Sequence, residues 1–146
     1  MINMATVLKK VVLQLKNHAS TNGMNIERST EMNSNPGNDS WVGVYKGSAS
    51  DAPYGLGKGA RNWLTTGTLR IVIQQFDNDA SDADELLEAK KDKVITALES
   101  DRTFANTVAN VIGYSIEYSY TGKSEKDYTL IPFQYAIITV TFEVRS

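Results

Sequence analysis

The chain of 146 residues holds one histidine, His18, and no cysteine. Cysteine nucleophiles, disulfides, zinc ribbons and iron–sulfur ligation are thereby excluded, and a multi-histidine metal site would need a second chain. A Ser-His-Asp arrangement would have to use His18, yet no base–nucleophile pair stands out beside it. His18 falls near the end of a helical pattern, where a cation faces the free carbonyl ends favourably, and it reads as a surface residue. The 17 Asp and Glu could supply paired carboxylates for glycoside chemistry, but no spacing singles out two of them. The sequence therefore predicts no catalytic residue, no cofactor and no enzyme.

Two segments invite a ligand. The acidic run Asp77-Asn78-Asp79-Ala80-Ser81-Asp82-Ala83-Asp84-Glu85, with Glu88 beyond it, places Asp77, Asp79, Ser81 and Glu88 at positions 1, 3, 5 and 12 of a calcium loop. The glycine such a loop needs for its sharp turn is Asp82 here. A helix expected to be running by Ala83 leaves too little loop to wrap an ion. The run reads better as a helix start, with Ser81 or Asp82 as cap and acids in the first turn facing the helix dipole. The second segment, Gly55-Leu56-Gly57-Lys58-Gly59-Ala60-Arg61, resembles a phosphate loop only in its glycines. It lacks both phosphate-loop spacings, and no hydrophobic strand runs into it.

Composition narrows the class. With 41% hydrophobic residues, 15 Lys and Arg against 17 Asp and Glu, and a formal charge of −2, the chain reads as one domain, 1–146, large enough for its own core. The charge argues against binding through phosphate neutralisation. The apolar stretch Val7–Leu15 is interrupted by Lys9, Lys10 and Gln14 and predicts no signal peptide. No segment approaches the ~20 apolar residues of a membrane helix.

The elements that must position any site follow from periodicity. Residues 4–20 predict an amphipathic helix with Val7, Leu8, Val11, Val12, Leu15 and Ala19 on one arc, Asn3 as N-cap and Asn22-Gly23 as its stop. Met24–Met32 alternates as a half-exposed strand. After the turn-forming cluster Asn33–Ser40, Trp41–Lys46 reads as its antiparallel hairpin partner. Thr68–Phe76 is β-branched and apolar on both faces, which predicts a central strand. A second helix carries Ala83, Leu86, Leu87, Val94, Ala97 and Leu98 on one stripe. Residues 103–110 fit a short helix or an irregular turn equally. Ile112, Tyr114, Ile116, Tyr118 and Tyr120 alternate as a strand, and Tyr128–Val144 is a long returning strand with Pro132 at its start, a bulge or an edge. This order, α-β-β-(long loop)-β-α-β-β, predicts an α+β two-layer sandwich, a mostly antiparallel sheet with two helices on one face.

Residues 47–67 break all periodicity and carry five glycines, so they predict a long loop or arm that is a functional surface, is ordered by a partner or hides an element. Tyr54, Leu56 and Trp63 are its apolar anchors, with Lys58 and Arg61 its charges, a set suited to a protein interface. Leu13 points off the apolar arc of the first helix, and Lys90 sits at the centre of the stripe on the second. Both are ordinary for a soluble surface and a snorkelling lysine, unless those faces meet another subunit.

The order of elements resembles the tail terminator, or tail completion, proteins of long-tailed bacteriophages. The resemblance runs from the helix Val7–Leu15 through the hairpin around Met24–Tyr45, the strand Thr68–Phe76 and the helix Ala83–Glu99, to the closing strand Ile137-Ile138-Thr139-Val140-Thr141-Phe142-Glu143-Val144. It is architectural and carries no diagnostic motif and no catalytic residue. It implies a virion protein of the tail and neck, assembled in the host cytoplasm. Copies of the chain would form a homo-oligomeric ring, typically a hexamer, that caps the tail tube, stops its polymerisation and provides the surface for head–tail joining. The implied partners are the chain itself, the tail tube protein and a neck or head-completion protein, or a sheath. No membrane and no sequence-specific nucleic acid is implied, although DNA would pass through the ring. The other reading of the same residues is a small enzyme or ligand-binding α+β domain using carboxylates and the Gly-rich loop.

Overall fold

A computed structural model describes residues 3–28, 41–54, 62–76, 80–121 and 133–145. The chain is α+β: helix α1 (Met4–Asn17), a 3-10 turn (Ala19–Thr21), strands β1 (Asn25–Arg28), β2 (Trp41–Tyr54) and β3 (Asn62–Phe76), helix α2 (Ala80–Glu99), then β4 (Asn110–Thr121) and β5 (Phe133–Arg145). The five strands form one mixed sheet in the order β1-β2-β3-β5-β4.

Asn3 caps α1 as its side chain predicts, accepting from the Ala5 and Thr6 amides at 3.1 and 3.3 Å. The helix stops at Asn17, earlier than its apolar arc, because the side chain of His18 caps the following 3-10 turn by accepting from the Ser20 amide at 3.1 Å. Val7, Leu8, Val11, Val12 and Leu15 are buried. They join Leu87, Val94, Ala97 and Leu98 of α2 in one core with Ile26, Val42, Val44, Leu69, Ile71, Ile73, Ala136, Ile138 and Val140. Those strand residues share one sheet face by register: Val44 pairs with Ile71 and Ile71 with Ile138, Val42 with Ile73 and Ile73 with Ala136. Thr68–Phe76 lies within β3, at the middle of the sheet, and both of its faces are covered: Val72 and Gln74 are buried on the side away from that core.

Three expectations are corrected. β1 and β2 are parallel, Asn25 opposite Trp41 and Arg28 opposite Val44, and do not form a hairpin. The segment between them, 29–40, has the dozen residues a parallel return requires; it lies outside the described residues, as does Ser29–Met32 of the expected strand.

Much of the expected loop 47–67 is strand. β2 continues to Tyr54 and β3 begins at Asn62, and they pair from Ala49↔Gly67 to Tyr54↔Asn62 past a bulge between Lys46 and Ala49. The glycine that looked like loop flexibility at 67 is a seat: a Cβ there would stand 2.7 Å from the ring of Phe142, its neighbour across the strands. Gly43 does the same for Trp41 on the other face, where a Cβ would run into the indole ring. Bare backbone in a strand lets a large ring lie flat on the sheet. Removing 50–62 would therefore cut paired strand, not a detachable arm.

The third correction is α2, which begins at Ala80, so Ser81 and Asp82 stand in its first turn rather than at its cap. Asp77–Asp79 and Tyr128–Pro132 lie outside the described residues. The open question at 103–110 resolves into a left-handed turn. Phe104, Ala105 and Asn106 have φ of 47, 58 and 64°, and Asp101 holds them by accepting from the Thr103 amide (2.9 Å), the Thr103 hydroxyl (2.6 Å) and the Ala105 amide (2.9 Å).

Candidate assembly interface

A sheet is closed only where each edge strand is covered, and among the described residues nothing pairs with the outer side of β4. β4 is a full edge: among the described residues it pairs with β5 alone. It runs Asn-Val-Ile-Gly-Tyr-Ser-Ile-Glu-Tyr-Ser-Tyr-Thr, with one charge, Glu117, and neither lysine nor proline. Edges that must stay single are usually blunted by such residues. A bulge between Val111 and Gly113 turns Ile112 outward, leaving it 55% exposed while Val111 is buried. That is why the simple alternation of Ile112 with Tyr114 fails. Tyr118, at 52%, is exposed near the other end.

On the opposite side β1 pairs with Trp41–Val44 of β2. Lys46–Asp51 are exposed.

On the face away from the helices, Tyr45, Arg70, Val72 and Ile137 line a cleft of about 210 Å³, which Lys46 also borders from a position that pairs with Leu69 of the helix-side core. Register fixes the face: Tyr45 opposes Arg70, and Val72 opposes both Gly43 and Ile137. Trp41 stiffens the floor, 1% exposed, lying across Gly43 with Tyr45 edge-on to it at 6.3 Å between centroids. Its indole N–H donates to Glu27 at 3.4 Å. Gln74, opposite Trp41, donates to the Tyr135 hydroxyl at 3.4 Å while its own carbonyl oxygen is buried without a partner among the described residues. Lys46 and Arg70 have no ion pair among the described residues.

α2 braces the β4 edge. Glu88 accepts from Lys91 at 2.8 Å, and the Lys91 and Tyr118 hydrogen bonds hold its carboxyl below the usual range. Tyr114 is pushed up by burial and by the neighbouring Glu99. Arg102 reaches from the end of α2 to the β4 backbone, donating to the Val111 carbonyl at 2.7 Å and to the Asn110 side chain at 3.3 Å.

Of the residues read from sequence as contacts, Leu56, Lys58 and Arg61 lie outside the described residues. Tyr54 and Trp63 sit at the end of the β2–β3 ladder, Tyr54 opposite Asn62 and Trp63 opposite Pro53. Leu13 is 42% exposed on α1, on a different element from that pair. The stripe on α2 is also rearranged: Leu86 is exposed, whereas Lys90 turns inward and donates to Gln75, which is buried on β3. The odd lysine had a buried amide as its partner.

Gln14 is the residue that sequence reading passed over. It read as an interruption of an apolar arc, yet its side-chain amide donates to the carbonyls of Ala97 (2.9 Å), Leu98 (3.1 Å) and Asp101 (3.1 Å) and so caps the end of α2 from α1. Among the described residues no cluster of three or more His, Asp or Glu is placed to hold a metal ion. Among the described residues no helix is long and apolar enough to cross a membrane. No protein-family model matches this chain, and no curated protein matches it.

Proposed function

We propose that the protein is a structural subunit that assembles head to tail with copies of itself into a closed ring, in the manner of a phage tail terminator, and that it performs no chemistry of its own. The observation that carries the reading is the long β4 edge, which among the described residues pairs with β5 alone. β2, β3, β5 and β4 each run antiparallel to the next, and β1 runs parallel to β2, so β4 runs opposite to β1 and β2. A second copy in the same orientation would bring its β1–β2 side to β4 with antiparallel polarity, the geometry a continued ladder needs. A repeated contact between two different patches closes into a ring when its rotation divides the circle. Strand twist supplies a rotation at each junction.

The tail-terminator part of the reading rests on the likeness of element order: an opening helix, a long central strand, a second helix and a closing strand in a two-layer α+β sandwich. The ring would cap the tube, halt its growth and offer its other face to the neck. Adding the chain to a polymerising tail tube protein tests this. Tubes that stop lengthening and carry density at one end are the expected result. Tubes that elongate unchanged, with the chain left in the supernatant, would refute the capping role.

A further inference from the structure

We infer that the cleft on the sheet face away from the helices is a binding site for a small organic acid, a short apolar stem ending in one carboxylate. The site does not depend on the ring, because it lies on a face of the sheet and not on the β4 edge.

Strand register builds the site in rows. Tyr45, Arg70, Thr139 and Ser115 stand level with one another across β2, β3, β5 and β4 on this face. Gly43, Val72 and Ile137 form the neighbouring row, about 6–7 Å along the strands, since side chains of one face recur at every second residue. The first row is polar and the second apolar, so the cleft lined by Tyr45, Arg70, Val72 and Ile137 has a charged end and an apolar floor. Trp41 lies across Gly43 and puts aromatic surface at the β2 side of that floor.

The ligand's chemistry follows from charge, floor and size. Arg70 is exposed and makes no ion pair among the described residues. Its guanidinium offers a planar fork of donors that matches a carboxylate. Thr139, directly opposite Arg70, adds a hydroxyl at the same level. Val72 and Ile137 give an apolar stem a surface to cover, which water covers at a cost. The volume of about 210 Å³ is below the roughly 300–1,000 Å³ of pockets for drug-sized ligands and holds on the order of seven waters. That is room for an acid of a few carbons, not for a nucleotide. Glu117, exposed on β4 and opposite Ile137, stands on the far side of the apolar row from β3. Its charge disfavours a second negative group on the ligand, so a monocarboxylate fits better than a diacid.

Titration of the isotope-labelled full chain, followed by amide NMR, tests the site with three probes: sodium hexanoate, hexanamide and inorganic phosphate. Hexanoate should shift the amides of Tyr45, Arg70, Val72 and Ile137 saturably, with half-saturation on the order of millimolar, as a ligand of so few atoms allows. Hexanamide keeps the stem and lacks the charge, and should bind roughly tenfold more weakly, because charge-assisted hydrogen bonds are about twice as strong as neutral ones. Phosphate has the charge and no stem, and should also bind more weakly than hexanoate. Arg70→Met keeps an unbranched side chain at an exposed position and removes the guanidinium, so it should lose hexanoate binding by a similar factor while amides far from the cleft stay in place.

No saturable shift at these four amides overturns the inference, as does a hexanamide response equal to that of hexanoate. Hexanoate binding that survives Arg70→Met overturns it too. Phosphate binding as tightly as hexanoate at the same amides would make the cleft a seat for any anion and refute the organic acid. The native mass is read separately, so failure here leaves the ring untouched.

Discussion

Asp101 is placed to hold open the turn from which the β4 edge departs, and replacing it gives the sharpest test of how that edge is built. A left-handed backbone costs an L-residue roughly 1–2 kcal/mol, and asparagine tolerates it best. Asn106 is therefore well chosen, and Phe104 and Ala105 carry a cost of about 2–4 kcal/mol between them on the same scale. Phe104 is completely buried, which returns about 1.5–3 kcal/mol. The remainder falls to the three hydrogen bonds accepted by Asp101, the last two of which hold Thr103 and Ala105 on either side of Phe104. By analogy with helix caps, Asp101→Ala should cost about 1–2 kcal/mol. For a chain of this size that lowers the melting temperature by about 2–8 °C. Asp101→Asn keeps one acceptor oxygen and should lose about half as much.

The same bonds give a pH signature. The Thr103 side-chain hydrogen bond, followed by the backbone amides of Ala105 and Thr103, lowers the Asp101 pKa from its ordinary 3.8. A group whose folded pKa lies below its unfolded value stabilises fully above the unfolded pKa, and that contribution is lost as the pH falls below it. The gap between wild type and Asp101→Ala, measured by thermal denaturation, should be full at neutral pH and close as the pH drops below about 4. An alanine variant that melts with the wild type at neutral pH, or a gap unchanged well below that window, would refute this account of the turn.

Other substitutions probe the sheet and its packing. Gly43→Ala must displace Trp41, at a cost of roughly 1–3 kcal/mol for overpacking, and the change in tryptophan emission together with chemical denaturation would report it; unchanged emission and stability would contradict the seat. Lys90→Ala removes the donor to the buried Gln75 carbonyl and should cost about 1–3 kcal/mol, whereas loss of an ordinary snorkelling surface lysine would be close to neutral in the same urea titration. Calcium should leave the melting temperature unmoved. Binding to the folded state at ~100 times the dissociation constant would add about 2.7 kcal/mol, so a rise with calcium and not magnesium would show that the acidic run does more than start α2.

The helices and the central strand were legible because burial imposes period on sequence: the arc Val7–Leu15 and the β-branched run Thr68–Phe76 can hardly be read otherwise. What was not legible depended on partners far along the chain. Gly67 reads as a loop residue until Phe142 is laid across it, and Lys90 reads as an intrusion until Gln75 is found opposite. The parallel pairing of β1 with β2 cannot be told from a hairpin by alternation, since both give the same period of two. Ile112 is misplaced by a single bulge, which shifts it to the other side without changing its type. The place of β4 in the sheet was hidden for the same reason: it carries no motif, and its pairing with β5 alone among the described residues is a property of strand order. Tyr54 and Trp63, first singled out as contacts on a loop, belong instead to the β2–β3 ladder, because strand pairing with a distant partner leaves no period in a Gly-rich segment.

The central claim is self-assembly through two different edges, and the native mass of the wild-type chain tests it most directly. The account predicts a single closed species of fixed stoichiometry above two. A chain that remains monomeric, or that stops at a dimer, would contradict it.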